Sequence, residues 1–320
     1  MTRIPAVLRT RKALLALQLL ALAVLIAALG WAVRDVWPDA APRLASADPL
    51  QLTFALSILA AYYLLFVVGW MWILATMGIR VPYSVALQAE MLSMLAKYVP
   101  GGVWTPAARV VAMRRFGIRE TPVLIASILL EAGLSAVAGV LVFLASLPFV
   151  GVPVSAPIGP LVAFGILITV LLHPRVFRWL ARKVLRPFGA SEVPPLPWSR
   201  ALGILAYYLV TWPIGGFALF FLLRAVGGDP ALSTVPFLGG AAAVGAIVAV
   251  LAVFAPSGLG VREGAMYGLI LAVAVEGVAL GATIMNRLAI TVVEAVLLLA
   301  GAIAWRGRFW SREVLAQSGR

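Results

Sequence analysis

Tyr98-Val99-Pro100-Gly101-Gly102 breaks one long apolar region of this chain, and Phe254-Ala255-Pro256-Ser257-Gly258 breaks another. After each break comes an apolar span with a lone glutamate within it, Glu131 after the first and Glu294 after the second. Proline removes a backbone donor and glycine favours a turn, so each peptide interrupts a helix. Inside a membrane, freed backbone groups are tolerated only against protein or a water-filled cavity. A carboxylate at that depth costs at least a few kcal/mol on insertion scales. Two copies of so costly a pattern point to a binding or transport site.

Composition sets the class. Of 320 residues, 63% are hydrophobic and 12% are charged, with a mean hydropathy of +1.06. A soluble domain carries about 25% charged residues. The chain therefore reads as an all-α polytopic membrane protein, a single integral unit over 1–320. There is no cysteine and one histidine, His173, which excludes thiolate chemistry and multi-histidine metal sites. No cofactor is expected. The net charge of +13 lies in short loops, so it reads as membrane orientation and attraction to anionic headgroups, not nucleic-acid binding.

Apolar runs predict about six spans, near 13–33, 52–76, 121–147, 157–172, 200–223 and 282–304. The first follows a basic start and resembles a signal peptide, but its apolar run exceeds the 7–15 residues of such a segment. It reads as a retained span. The break regions, near 84–117 and 233–276, are each expected as a re-entrant hairpin or as a pair of spans. Hairpins are favoured, though the 233–255 stretch is long enough to cross. Most of the 25 basic residues fall in loops on one side. By the positive-inside rule both termini are cytoplasmic and the protein sits in the cytoplasmic (inner) membrane. The two breaks then enter from opposite faces. The pattern extends past the breaks: Ser127-Ile128-Leu129-Leu130-Glu131-Ala132 is similar to Ile290-Thr291-Val292-Val293-Glu294-Ala295. This predicts an inverted repeat, with halves at 50–172 and 200–305 and a basic, proline-rich connector at 173–199.

Ser127, Glu131 and Ser135 share one helix face at four-residue spacing. They can line a polar cavity, or Glu131 can be a protonated group satisfied by a neighbouring helix. Arg287 and Glu294 lie two turns apart on another helix, with Asn286 and Thr291 nearby. Arg287 is expected either to snorkel to the interface or to neutralise a lipid phosphate. Lys97, Arg109, Arg262 and Glu263 flank the breaks, and helix ends beside Pro100, Gly101, Gly102, Pro256 and Gly258 offer N–H groups suited to phosphate. Glu90 precedes Lys97 by seven residues and can pair with it. Gly260, Gly264 and Gly268 repeat at four-residue spacing, which predicts close helix packing. No strand precedes Gly258-Leu259-Gly260, so a nucleotide loop is excluded. Trp31, Trp37, Trp70, Trp72, Trp305 and Trp310 are expected as interfacial anchors.

Lys97-Tyr98-Val99-Pro100-Gly101-Gly102-Val103-Trp104, Arg109, Gly117-Ile118, Ser127 and Glu131 together resemble the transmembrane region of lysylphosphatidylglycerol synthases. Pro256-Ser257-Gly258-Leu259-Gly260-Val261-Arg262-Glu263-Gly264 is similar to that family's second signature. The resemblance covers most of the chain, from about 50 to 305. It implies a flippase-like scaffold and not the synthase activity, which belongs to a separate soluble domain. The expected function is translocation of a lipid headgroup through a cavity between two inverted halves. Candidate substrates are a phospholipid, an aminoacyl-lipid, a glycolipid and a polyprenyl phosphate. The alternatives are a membrane-embedded lipid-modifying enzyme and a scaffold for a separate glycosyltransferase or synthase.

Overall fold

The computed structural model describes residue 34 and residues 37–97, 104–150, 158–185, 194, 196–252, 255 and 258–305. The 13–33 span, Pro100, Gly101, Gly102, Pro256, Trp31 and Trp310 lie outside the described residues, as does most of the connector. Among the described residues the regular structure is helical throughout.

Short α1 (Trp37–Ala45) leads into α2 (Pro49–Thr76). Asp48 caps α2: its carboxylate accepts from Leu50 N at 2.8 Å, and Pro49 fits the first turn. The helix stops at Gly78, whose φ of 88° only glycine adopts without strain. There Ile79 N donates to Leu74 O at 2.9 Å and closes the helix end. The first break separates α3 (Tyr83–Ala96) from α4 (Trp104–Arg115), which pack on each other. At ~1.5 Å per residue, neither reaches across a hydrocarbon core of ~30 Å. The long α5 (Thr121–Ser146) follows, then α6 (Ile158–Leu172) and α7 (Pro174–Leu185), which bend by 76° at His173. The second half runs through α8 (Trp198–Ala225), α9 (Val235–Leu251), α10 (Val261–Ile270) and α11 (Glu276–Trp305).

Among the described residues, five helices are long and apolar enough to cross a membrane, and a sixth crossing results if α6 and α7 form one bent span. This matches the predicted all-α polytopic class. The breaks differ in one respect. Leu232–Leu251, which joins a 3-10 turn to α9, is itself long enough to cross, whereas α3 and α4 are not. The reason is where each break falls: the first leaves helices of 14 and 12 residues, whereas the second comes after an unbroken stretch of 20.

Helices α5, α8 and α9 pack together at the centre, with α2 laid along α8. Asp48 N, before α2, donates to Ala225 O at the end of α8, at 2.9 Å, so the two helices run antiparallel. Their contact is reciprocal. The Tyr208 ring of α8 fills the space beside Gly69 of α2, and the Tyr62 ring of α2 fills the space beside Gly215 of α8. A Cβ at Gly215 would stand 3.0 Å from Tyr62 Cε2. Phe66 and Trp212 close the box, with ring centroids 5.9 Å apart.

Small residues let backbones approach where apolar surface alone gives no drive between helices in lipid. Glycines on facing helices do this: Gly216 on α8 and Gly239 and Gly240 on α9. A Cβ at Gly239 would stand 2.5 Å from Trp212 O, and one at Gly240 would stand 2.5 Å from Phe143 Cα. The expectation that Gly260, Gly264 and Gly268 form the packing stripe is corrected: Gly264 and Gly268 are exposed, with nothing within 4 Å of a Cβ. Trp70 is corrected too. It is fully buried, whereas Trp37 and Trp72 are exposed as anchors should be.

Candidate functional site

Two charge clusters stand inside the helix bundle. The first is centred on Arg109 of α4. Its Nη1 pairs with Glu131 of α5, and its Nη2 pairs with Glu90 of α3. The hairpin fold brings Glu90 to Arg109, so Glu90 does not pair with Lys97 as its spacing allowed. The guanidinium lies 4.6 Å from the ring centroid of Trp70, a cation–π contact. Trp70 Nε1 donates to Ser127 Oγ at 3.0 Å, and Ser127 Oγ donates to Leu124 O at 2.8 Å. Ser127 therefore fixes Trp70, which supports Arg109. Arg109 and Glu131 are 6% and 5% exposed, too little to be solvated as bulk ions, so each depends on the other. The Tyr208 hydroxyl is beside Glu131, buried, and makes no hydrogen bond of normal geometry.

The second cluster gathers around α11. Lys97, which caps α3, pairs with Glu294. Tyr63 of α2 donates its hydroxyl to Glu294 Oε1 at 2.8 Å. Arg287 Nη1 pairs with Glu263 Oε1 at 3.4 Å. Glu263 Oε2 also accepts from Gly260 N at 2.6 Å and so caps α10. Gly258 takes φ 64°, which lets the chain turn back against Ala249 of α9. Lys97 and Glu294, on opposite sides of the sequence connector, are thus in contact, whereas Glu131 and Glu294 belong to different clusters.

A cavity of about 550 Å³ lies between these groups. Its walls are mainly apolar, drawn from α2, α5, α6, α8 and α9, and include Phe66, Leu129, Phe164 and Ala243. The ionisable groups on its wall are Glu90, Arg262, Tyr62 and Tyr63. Ser135 is on the wall; Ser127, Glu131, Arg287 and Glu294 are not. Arg262, the second residue of α10, is the cation that faces the space among the described residues. It has no ion pair among the described residues, and its Nε is buried without a hydrogen-bond partner. It is close enough to act electrostatically on Tyr62, Tyr63 and Lys97. Its importance relative to Arg287 was not visible in the sequence. Both arginines have a glutamate within reach, and only the fold shows that Glu263 turns to Arg287.

The tyrosine pairs were missed as well. Tyr62-Tyr63 lies before the connector and Tyr207-Tyr208 after it, and this recurrence is a signal the sequence carries. Tyr63 of the first half serves Glu294 of the second, and Tyr208 of the second half stands beside Glu131 of the first.

Among the described residues, no cluster of histidine, aspartate and glutamate has the form of a metal site. Helices of membrane-spanning length around an apolar cavity, with buried ion pairs at its edge, define an integral membrane protein with an internal polar site. The family model for the lysylphosphatidylglycerol synthase TM region matches residues 18–301, nearly the whole chain. The protein belongs to that family, whose association is with membrane lipids. No curated protein matches the chain.

Proposed function

We propose that the protein moves a phosphate-bearing lipid headgroup between leaflets through the cavity, while the lipid tails stay in apolar surroundings. The observation that carries this reading is Arg262: a cation on the wall of a 550 Å³ apolar cavity, with no carboxylate paired to it among the described residues. A guanidinium so placed is stabilised by an anion, and a phosphate accepts two parallel hydrogen bonds from it. The helix end at α10 does not compete for that anion, because Glu263 already occupies it.

The reading extends to the architecture. The two halves are inverted copies, supported by the antiparallel α2–α8 pair, its reciprocal tyrosine–glycine packing, and the exchange of Tyr63 and Tyr208 between glutamates. The basic loops support a cytoplasmic-membrane protein with both termini in the cytoplasm. Its partners are membrane lipids, with a separate glycosyltransferase or synthase as the source of the lipid.

Purified protein in liposomes tests the reading. Four labelled lipids serve as probes: an acidic phospholipid, an aminoacyl phospholipid, a glycolipid and a polyprenyl phosphate. Wild type accelerates transbilayer movement of a phosphate-bearing member, and Arg262→Ala loses most of that acceleration. Rates equal to protein-free liposomes for every lipid, or an Arg262→Ala variant as fast as wild type, overturn it. A change in lipid mass during the assay marks a lipid-modifying enzyme instead. Activity of a partner enzyme that survives both Glu131→Gln and Glu294→Gln, with no lipid movement, marks a scaffold.

A further inference from the structure

Glu90, Arg109 and Glu131 place two carboxylates on one guanidinium. With both acids ionised, the trio carries one uncompensated negative charge inside the bundle. Among the described residues, the groups facing it offer no second cation. From α2 comes Trp70, already on Arg109. From α8 comes the Tyr208 hydroxyl, a neutral group. Helices α6 and α9, which pack on α5, carry no ionisable side chain. Helix α11, which packs on α3, brings Glu294 and Arg287, and these hold Lys97 and Glu263. Arg262 lies toward Tyr62, Tyr63 and Lys97. A buried charge without a partner is removed most cheaply by a proton.

We propose that this trio is a proton-binding site: one exchangeable proton, shared by Glu90 and Glu131, that arrives from the cavity through Glu90. Glu90 is the member on the cavity wall, so water in the cavity can deliver the proton to its carboxylate. With the proton bound, Arg109 balances one remaining carboxylate and the trio is neutral. Without it, a net negative charge stands on the wall of the cavity that holds Arg262. That charge opposes a phosphate at Arg262, and the bound proton removes the opposition. Proton and headgroup therefore strengthen each other's binding by the same factor. This coupling rests on the translocation reading; the proton site itself does not.

Infrared spectroscopy of wild-type protein in lipid nanodiscs reads the site directly. The expected result is a protonated-carboxyl carbonyl band that shifts in heavy water and disappears as pH is raised. It is also lost in Glu131→Gln and in Glu90→Gln. No such band in wild type, or a band that survives both substitutions, overturns the proposal. The wild-type measurement stands even if a variant fails to fold. A second measurement uses liposomes and a phosphodiester lipid, whose own charge does not change over the range. Wild-type transbilayer movement falls with rising pH, approaching about tenfold per pH unit above the titration point, the limit for one required proton. In Glu131→Gln this dependence disappears. Movement that is independent of pH in wild type refutes the coupling. A titrating band without lipid movement establishes the proton site and refutes translocation.

Discussion

Replacing Arg109 with methionine is the severest single change the first cluster offers. Methionine keeps the apolar stem and lacks the guanidinium head, so the main loss is electrostatic. Arg109 holds both Glu90 and Glu131, and neither has another cation among the described residues. Removing one partner of a buried pair costs about 3–5 kcal/mol, because the remaining charge stays desolvated. Here two carboxylates are stranded, which places Arg109→Met at the upper end of about 3–5 kcal/mol near neutral pH. Protonation of both acids relieves the penalty, so the deficit shrinks as pH falls. Glu131→Gln acts differently. It leaves Arg109 paired with Glu90, a neutral couple, and keeps an amide oxygen for the guanidinium. Its cost is about 1–3 kcal/mol, the range for weakening a buried hydrogen bond. Reversible unfolding in mixed micelles, titrated with denaturing detergent at two pH values, measures both. An Arg109→Met variant within about 0.5 kcal/mol of wild type, the usual range for inconsequential surface changes, refutes the reasoning. So does a Glu131→Gln variant as unstable as Arg109→Met.

Three further outcomes follow from particular contacts. Gly239→Val drives a side chain into the Trp212 carbonyl and Pro213 and costs at least about 1–3 kcal/mol by overpacking, whereas Gly264→Ala meets nothing and gains up to about 1 kcal/mol from helix propensity; the same unfolding titration ranks the two. Tyr63→Phe removes the 2.8 Å hydrogen bond to Glu294 and costs about 1.5–3 kcal/mol, the range for a bond to a charged group, while Tyr62→Phe, which has no hydrogen bond to that carboxylate, costs less. The chain has no cysteine, so single cysteines report access directly: Ser135→Cys on the cavity wall reacts with a small maleimide in membranes, and Ser127→Cys behind Trp70 does not.

Much of the scaffold is written in composition and punctuation. Apolar runs between charged loops locate α2, α5, α8 and α11, because a membrane selects for length and hydropathy and for little else. The breaks are legible because proline and glycine have strong local effects. Partner choice is not local. Glu90 and Arg109 lie almost equally far before and after Pro100, and a hairpin turned there must bring them together. That symmetry was available in the sequence, but the seven-residue spacing to Lys97 competed with it. Trp70 looked like an interfacial anchor because it neighbours Trp72, yet one faces Arg109 and the other faces outward. Residues two apart on a helix point about 200° apart, to opposite sides, and composition alone does not say which faces the core. Likewise, a four-residue glycine stripe says that backbones can approach, not that another helix is there to do so. At Gly264 and Gly268 of α10 none is, and the close crossings are made elsewhere, at Gly239 and Gly240 of α9 among them.

The reciprocal fit of α2 and α8 has a consequence for how this protein can be made and taken apart. Tyr208 plugs the notch at Gly69, Tyr62 plugs the notch at Gly215, and Lys97 reaches across to Glu294. Each half is therefore an unfinished object, with notches unplugged and a glutamate lacking its tyrosine until the other arrives. A chain released after the first half would present those gaps to lipid and depend on the membrane's quality-control proteases to remove it. Two separately expressed halves would carry in their own notches the instructions for finding each other.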